Sequence, residues 1–383
     1  MMTMLVLAVF ISMAGRVVFS PLMPSLQASM GFTLSTAGTL FLLVSVSYGA
    51  AMLFSGFLAA RIGHGRTIVV ALGAIAAGLF LTAAAGGLGM LVTGMILIGA
   101  GAGTYPPSGI VMINESISLR RRSTAFSFHE IGPNMALLVA PLIVLVLDPW
   151  FGWRGVLVWL GGLSTIATLI FWRWGVPGSG IGAAPNLSTV GTILRFRTTV
   201  LGMVILSAAL SGVQGVYAIL PAYLVAHHQL APEHVNILLS ASRIAGILIL
   251  LRAGAVINRV GRRRVITGVL LFSALFTALI GLASGALLSV VVVAQPALLT
   301  VLFPAALSSM ADIGDPRYQN VTYALIITVG ISVGAGVAPA FLGVMGDIGL
   351  GWAGFMVVAA YMVSAVVFLR TTPEFGRETQ AYT

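Results

Sequence analysis

Residues 56–66 read Gly56-Phe-Leu-Ala-Ala-Arg61-Ile-Gly63-His-Gly-Arg66, and 198 positions later residues 254–264 read Gly254-Ala-Val-Ile-Asn258-Arg259-Val-Gly261-Arg-Arg-Arg264. Gly56, Gly63 and Arg66 recur in register as Gly254, Gly261 and Arg264, and the match extends outward on both sides. Pro106 and Met112 recur as Pro304 and Met310, and Val139-Ala140-Pro141 as Val337-Ala338-Pro339. One step out of phase, Gly152-Trp153 recurs as Gly351-Trp352, and Gly15 and Pro24 recur as Gly212 and Pro221. Chance does not align so many Gly, Pro and Trp residues across this distance. The chain is a tandem of two related halves.

What fills the halves is apolar. Of 383 residues, 59% are hydrophobic and 7% charged, with a mean hydropathy of +1.08. A soluble domain carries about a quarter charged residues, so a soluble enzyme or nucleic-acid binder is excluded. An apolar run of about 20 residues crosses a bilayer as a helix. Twelve such runs lie at 4–27, 36–60, 67–86, 89–112, 124–147, 155–173, 199–226, 235–257, 265–283, 286–310, 321–345 and 352–370. The first lacks the basic leader of a cleaved signal peptide and is too long for one. The expected architecture is an all-α polytopic membrane protein. Six helices fall in residues 1–174, a Gly-, Pro- and Ser-rich linker in 175–198, six more helices in 199–371 and a tail in 372–383.

All 19 basic residues are arginine. With the N-terminus inside, fifteen flank spans on the cytoplasmic side: Arg61, Arg66, Arg120, Arg121, Arg122, Arg173, Arg195, Arg197, Arg259, Arg262, Arg263, Arg264, Arg317, Arg370 and Arg377. Only Arg154 lies outside. The positive-inside rule therefore predicts that both termini are cytoplasmic, in the inner membrane of a prokaryote. No cysteine occurs, which removes thiolate metal sites and Cys nucleophiles. The segment His227-His228-x4-Glu233-His234 has metal-binding residue types at a spacing that fits no standard site, and no cofactor or metal is expected.

The segment 56–66 resembles the G-x-L-a-D-r-x-G-r-k/r signature of the major facilitator superfamily, and 254–264 resembles its second copy. Gly132-Pro133 in the fifth span is similar to the superfamily's Gly-Pro signature, and Phe151-Gly-Trp-Arg154 opens the sixth span as it commonly does there. With the repeat and the topology, the resemblance covers the whole chain. It implies that spans 1, 4, 7 and 10 line a cavity, with 2, 5, 8 and 11 flanking it and 3, 6, 9 and 12 facing lipid. It also implies a gating role for Gly56, Arg61, Gly63, Arg66, Gly254, Arg259, Gly261 and Arg264. The acidic residue of the signature is replaced by Ala60 and Asn258, and Met95 stands near the position of the fourth-span arginine of proton-driven exporters.

An ionised side chain at mid-bilayer marks a functional site unless it is paired. Arg16 lies ~18 Å into span 1 and Arg243 ~12 Å into span 8 at 1.5 Å per residue. Arg pairs bidentately with carboxylates and keeps its charge in a dry cavity, so two such residues point to an anionic substrate. The alternatives are a structural arginine near Pro21 and Pro24 for Arg16 and an interhelical ion pair for Arg243. Glu130 is the one acid deep in a span and the candidate proton carrier, with His129 beside it as a second candidate or a packing residue. Arg252, near the inner end of span 8, either snorkels or pairs with Glu130 as a gate. Tyr48, Tyr105, Gln214, Tyr217 and Gln295 are polar candidates for shaping the substrate site.

These features predict a secondary active transporter that moves a small organic anion, a carboxylate, by alternating access with proton coupling. It would act as a monomer, as symporter or antiporter, with no nucleic-acid partner. The alternative is a proton-driven exporter of drugs or metabolites. An intramembrane enzyme would need a catalytic cluster that five histidines, one deep acid and no cysteine do not assemble.

Overall fold

The computed structural model describes residues 1–118, 121–175, 191, 193–302, 305–306 and 319–372, which form helices and no strand. Arg120, Pro304, Met310, Arg317, Arg377, most of the linker and nearly all of the tail lie outside them. The first four spans are Met2–Val17 with Phe19–Met30, Leu34–Ile62, His64–Ala83 and Leu88–Ser116. Spans 5 and 6 follow as Arg122–His129 and Ile131–Trp174, the latter broken at Gly152 (φ 65°). Span 7 is Arg197–Leu210, Ser211–Val216 and Tyr217–His228; span 8 is Pro232–Val260; span 9 is Arg262–Leu282. Span 10 is described over Gly285–Leu299, span 11 over Gln319–Ile331, Ser332–Val337 and Ala338–Asp347, and span 12 over Gly351–Arg370. Ten of these stretches are long and apolar enough to cross a membrane, one of them carrying both span 5 and span 6. With the shorter tenth span, the twelve expected crossings are accounted for.

The repeat is visible in the backbone. Gly63 and Gly261, the second glycines of the two loop copies, adopt φ 81° and φ 89° and start the helices of spans 3 and 9. An L-residue with a Cβ is strained there, which explains why the sequence repeats glycine at both turns.

Among the described residues, spans 1, 5, 7 and 11 are each interrupted in mid-course, just ahead of a proline. Span 1 divides at Val18, span 5 at Glu130, and spans 7 and 11 each contain a π-helical turn, Ser211–Val216 and Ser332–Val337. Pro21, Pro133, Pro221 and Pro339 remove the amide that would bond the carbonyls of Val17, His129, Tyr217 and Ala335, and the ring crowds that carbonyl. The local sequence therefore opens the helices near the positions of Arg16 and Glu130.

The described chain divides into two compact units, Met1–Phe32 with Leu40–Pro185 and Leu230–Ile237, and Thr33–Thr39 with Asn186–Gln229 and Leu238–Thr383. The short segments at the starts of spans 2 and 8 are thus exchanged, and they correspond at the repeat offset. In the second unit, Asp347 accepts hydrogen bonds from the backbone amides of Leu34 (3.0 Å) and Ser35 (2.8 Å), capping the first turn of span 2. Gly38 and Gly343 let the two backbones meet: a Cβ on Gly38 would strike the Pro339 carbonyl, and one on Gly343 the Leu34 carbonyl. Removing a cap costs about 1 kcal/mol. Asp347→Ala is therefore expected to lower the unfolding temperature of the detergent-purified protein, whereas Asp347→Asn, which keeps one of the two acceptor oxygens, is expected to lower it less. An unchanged melting temperature for the alanine variant contradicts the cap.

In the first unit, span 4 lies against spans 2 and 3 through a run of glycines. A Cβ on Gly99 or Gly103 would fall on the carbonyls of Val44 and Tyr48, and one on Gly101 would come within 2.7 Å of the Ala71 carbonyl. These glycines set the distance between helices.

Candidate substrate and proton sites

In the first unit, Arg16 occupies the last turn of the helix that ends at Val17, where unpaired carbonyls favour a cation. Its guanidinium carbon lies 4.3 Å from the centroid of the buried Tyr48 ring, and Nη2 donates to Met13 Sδ at 3.2 Å. Nε has no hydrogen-bond partner among the described residues. Tyr48 is held at this height by Gly103, whose missing side chain admits the Tyr48 backbone. Overpacking such a contact costs about 1–3 kcal/mol, so Gly103→Ala is expected to reduce thermal stability and to weaken transport by displacing Tyr48. A variant with native melting and native uptake would count against this placement.

The second unit repeats the motif with the partners exchanged. Arg243, on span 8 and only 4% exposed, lies with its guanidinium carbon 4.4 Å from the ring centroid of Tyr217 on span 7. In the first unit the arginine is on the first span and the tyrosine on the second; here the order is reversed. Arg243 Nη2 donates to the Val213 carbonyl at 3.4 Å, inside the π-helical turn, and Nε has no partner among the described residues. Gln295 braces the same turn: its Nε2 lies 3.4 Å from the Gly212 carbonyl and 3.0 Å from Thr277 Oγ1. Gln214 sits half-buried on the turn itself. A desolvated guanidinium over an aromatic face gains ~2 kcal/mol. That is far less than the cost of burying an unpaired charge, so neither tyrosine neutralises its arginine.

A third cluster lies at the break in span 5. Tyr105, fully buried on span 4, places its hydroxyl 2.9 Å from the Leu5 carbonyl and 2.8 Å from His129 Nε2. The two rings are parallel, 6° apart in plane. Glu130 follows His129, with Oε1 4.0 Å from His129 Nδ1 and its side chain 67% exposed. Asn134 Nδ2 donates to the Glu130 carbonyl at 2.8 Å, and Gly132 lets span 5 approach the backbone of span 1 at Val6.

The sequence matches the Major Facilitator Superfamily over residues 5–211 and again over 200–382, so that the two matches together run nearly from end to end. The chain belongs to that superfamily. It is 26% identical over 162 residues to a probable sulfoacetate transporter of Cupriavidus necator, covering 42% of this chain and 38% of that one. It is 31% identical over 139 residues to a probable plastidic glucose transporter of Arabidopsis thaliana, covering 36% and 28%. The chain thus matches less than half the length of these relatives. Among solved structures it is similar to a bacterial homologue of the human lysosomal transporter Spinster, crystallised in an inward-facing and occupied conformation. There the TM-score is 0.77 at 14% identity, over 98% of this chain and 96% of that one.

The residues of the superfamily's loop signature lie at the ends of spans 2 and 8 and the starts of spans 3 and 9, with Arg61, Arg66, Gly254, Arg259 and Arg264 exposed. Arg252 is on an exposed face near the end of span 8. Other arginines cap helices, a role their positions in the sequence did not disclose. Arg122 Nη2 donates to the Asn114 carbonyl at 2.8 Å, and Arg263 Nη2 to the Leu369 carbonyl at 2.7 Å. Both serve carbonyls in the last turn of a helix, where the helical ladder runs out of amides; the Leu369 carbonyl also accepts from the Thr372 amide at 3.2 Å.

Proposed function

We propose that this superfamily member is a secondary active transporter of a small organic anion, a carboxylate, working by alternating access and coupled to protons. One observation carries the substrate class. Arg16 and Arg243 are both buried or nearly so, both lie over a tyrosine ring, and among the described residues neither has an ion-pair partner. A neutral substrate would leave two cations uncompensated, and a cation would be repelled. An anion supplies the missing charge, as the sulfoacetate named for one relative would. The glucose named for another relative would not, so the arginines weigh more here than the relatives' names. Glu130, an exposed carboxyl at the break in span 5, is the proposed proton carrier.

The arginine distribution supports cytoplasmic termini in a prokaryotic inner membrane, and one chain supplies both arginine sites, as a monomeric transporter requires. The deciding experiment is a thermal-shift screen of the purified protein against organic acids, inorganic phosphate, sugars and cationic drugs. Stabilisation by organic acids alone is expected, because a ligand that binds only the folded state raises the melting temperature. Stabilisation by sugars or cations instead would overturn the substrate class.

A further inference from the structure

The Tyr105 hydroxyl has one proton and, among the described residues, two polar neighbours, the Leu5 carbonyl oxygen at 2.9 Å and His129 Nε2 at 2.8 Å. A carbonyl can only accept, so the hydroxyl proton goes to Leu5. The contact with His129 then requires the ring nitrogen to donate. His129 must carry its proton on Nε2, which leaves the lone pair on Nδ1, the nitrogen 4.0 Å from Glu130 Oε1. Both rings are buried and parallel, so packing holds the arrangement.

We infer that Tyr105 is a positioning residue: it fixes His129 as the Nε2–H tautomer, so that Nδ1 takes the coupling proton and the His129–Glu130 pair, rather than the carboxyl alone, is the proton site. The inference rests on the proposed proton coupling and adds the identity of the accepting atom. The step balances simply. A proton from water adds to the exposed Glu130 carboxylate, the carboxyl swings in to close the 4.0 Å gap to Nδ1, the O–H bond breaks as an N–H bond forms there, and an imidazolium–carboxylate pair results. The pair passes from one negative charge to none and returns when the proton leaves on the other side.

The break in the helix makes this possible. Pro133 frees the His129 carbonyl from the helical ladder, and the chain can pivot at Glu130 while Tyr105 holds the imidazole. Among the described residues, the ionisable groups facing the pair are Tyr105 on span 4 and Tyr48 on span 2, both close enough to feel the Glu130 charge. Span 1 offers the Leu5 backbone there, and its own charge, Arg16, lies against the Tyr48 ring. On the short helix before the pair, Arg121 and Arg122 stand at the far end.

The test uses the full chain in proteoliposomes, comparing uptake of the organic acid that gives the largest thermal shift, under an imposed pH gradient, with counterflow at equal pH. One coupled proton under a gradient of about one pH unit supports about tenfold accumulation, since each 1.4 kcal/mol is a factor of ten. His129→Gln can still donate an N–H to Tyr105 but cannot take a proton; it is expected to keep counterflow and to show no accumulation. Tyr105→Phe keeps the ring and removes the acceptor that favours the cationic imidazole, so its half-maximal uptake is expected at lower pH with counterflow unchanged. In ¹⁵N spectra of histidine-labelled protein, the resonance lost in His129→Gln is expected to be that of an Nε2–H tautomer, and Tyr105→Phe to lose that preference. If His129→Gln accumulates substrate like the native protein while Glu130→Gln does not, proton coupling stands and the pair is refuted. An Nδ1–H tautomer in the native protein refutes the positioning role. Native uptake that ignores the gradient overturns the coupling and this inference with it.

Discussion

Arg16→Gln and Arg243→Gln are each expected to lower transport of the anionic substrate by about a hundredfold or more, because losing one partner of a buried, hydrogen-bonded charge pair costs 2–5 kcal/mol. Both variants are expected to fold, since glutamine removes the uncompensated buried charge and leaves the carbon stem to pack. Binding isotherms and initial rates in proteoliposomes provide the measurement. The tyrosine contacts sharpen the expectation. Tyr48 and Tyr217 lie against the guanidinium groups at 4.3 and 4.4 Å, and with Nη2 of each already donating within its own unit, Nε has no partner among the described residues and is open to an anion. Lysine keeps the charge but neither stacks as a plane nor binds bidentately, so Arg16→Lys and Arg243→Lys are also expected to be severely impaired. Tyr48→Phe and Tyr217→Phe keep the aromatic face and are expected to lose little. Native transport by either glutamine variant would instead favour the drug- or metabolite-exporter alternative.

The exchanged order of these pairs shows what a sequence of this kind can and cannot disclose. The repeat and the crossings were legible because they depend on spacing along the chain and on the length of apolar runs, and Arg16 and Arg243 stood out through the cost of charge in a bilayer. Which side chains meet depends on the azimuth of each helix, and helices apolar all round carry no stripe to fix it. Tyr48 and Tyr217 were placed at the substrate site as polar residues, with nothing in the spacing to say that each would lie under an arginine. Tyr105 was placed there too, and its hydroxyl instead engages Leu5 and His129, which lie far from it in sequence. The helix interruptions were partly readable, since each precedes a proline. Whether a proline gives a break, as at Val18 and Glu130, or a π-helical turn, as in spans 7 and 11, depends on neighbouring packing: a Cβ on Gly215 would strike the Gly334 carbonyl, so the two π-turns meet backbone to backbone. The start of span 2 clusters with the second unit because Asp347 caps it, and an aspartate at the end of another span gives no local sign of which amides it will reach.

Glu130→Gln is expected to abolish proton-driven accumulation while leaving exchange intact. The amide is nearly isosteric with the protonated acid and can neither release nor take a proton, so the pair is held at the net charge it otherwise carries only when loaded. Net uptake against a gradient requires the carrier to return with the opposite protonation; counterflow requires only that loaded carrier cross in both directions. Under a gradient of about one pH unit, the variant is expected to hold its internal substrate at the external concentration, where one coupled proton would give about tenfold accumulation. Its exchange rate is expected to be flat across the range in which the native rate varies. The local structure argues that the change is tolerated. The Glu130 side chain is exposed, and among the described residues its contacts are a 4.0 Å approach to His129 and backbone bonds through its carbonyl, which the substitution keeps. A variant that still concentrates substrate in response to the gradient removes Glu130 from the coupling path. One that loses counterflow as well identifies the break at Pro133 as the element that Glu130 supports, because a carboxylate needed only for the proton has no part in exchange at equal pH.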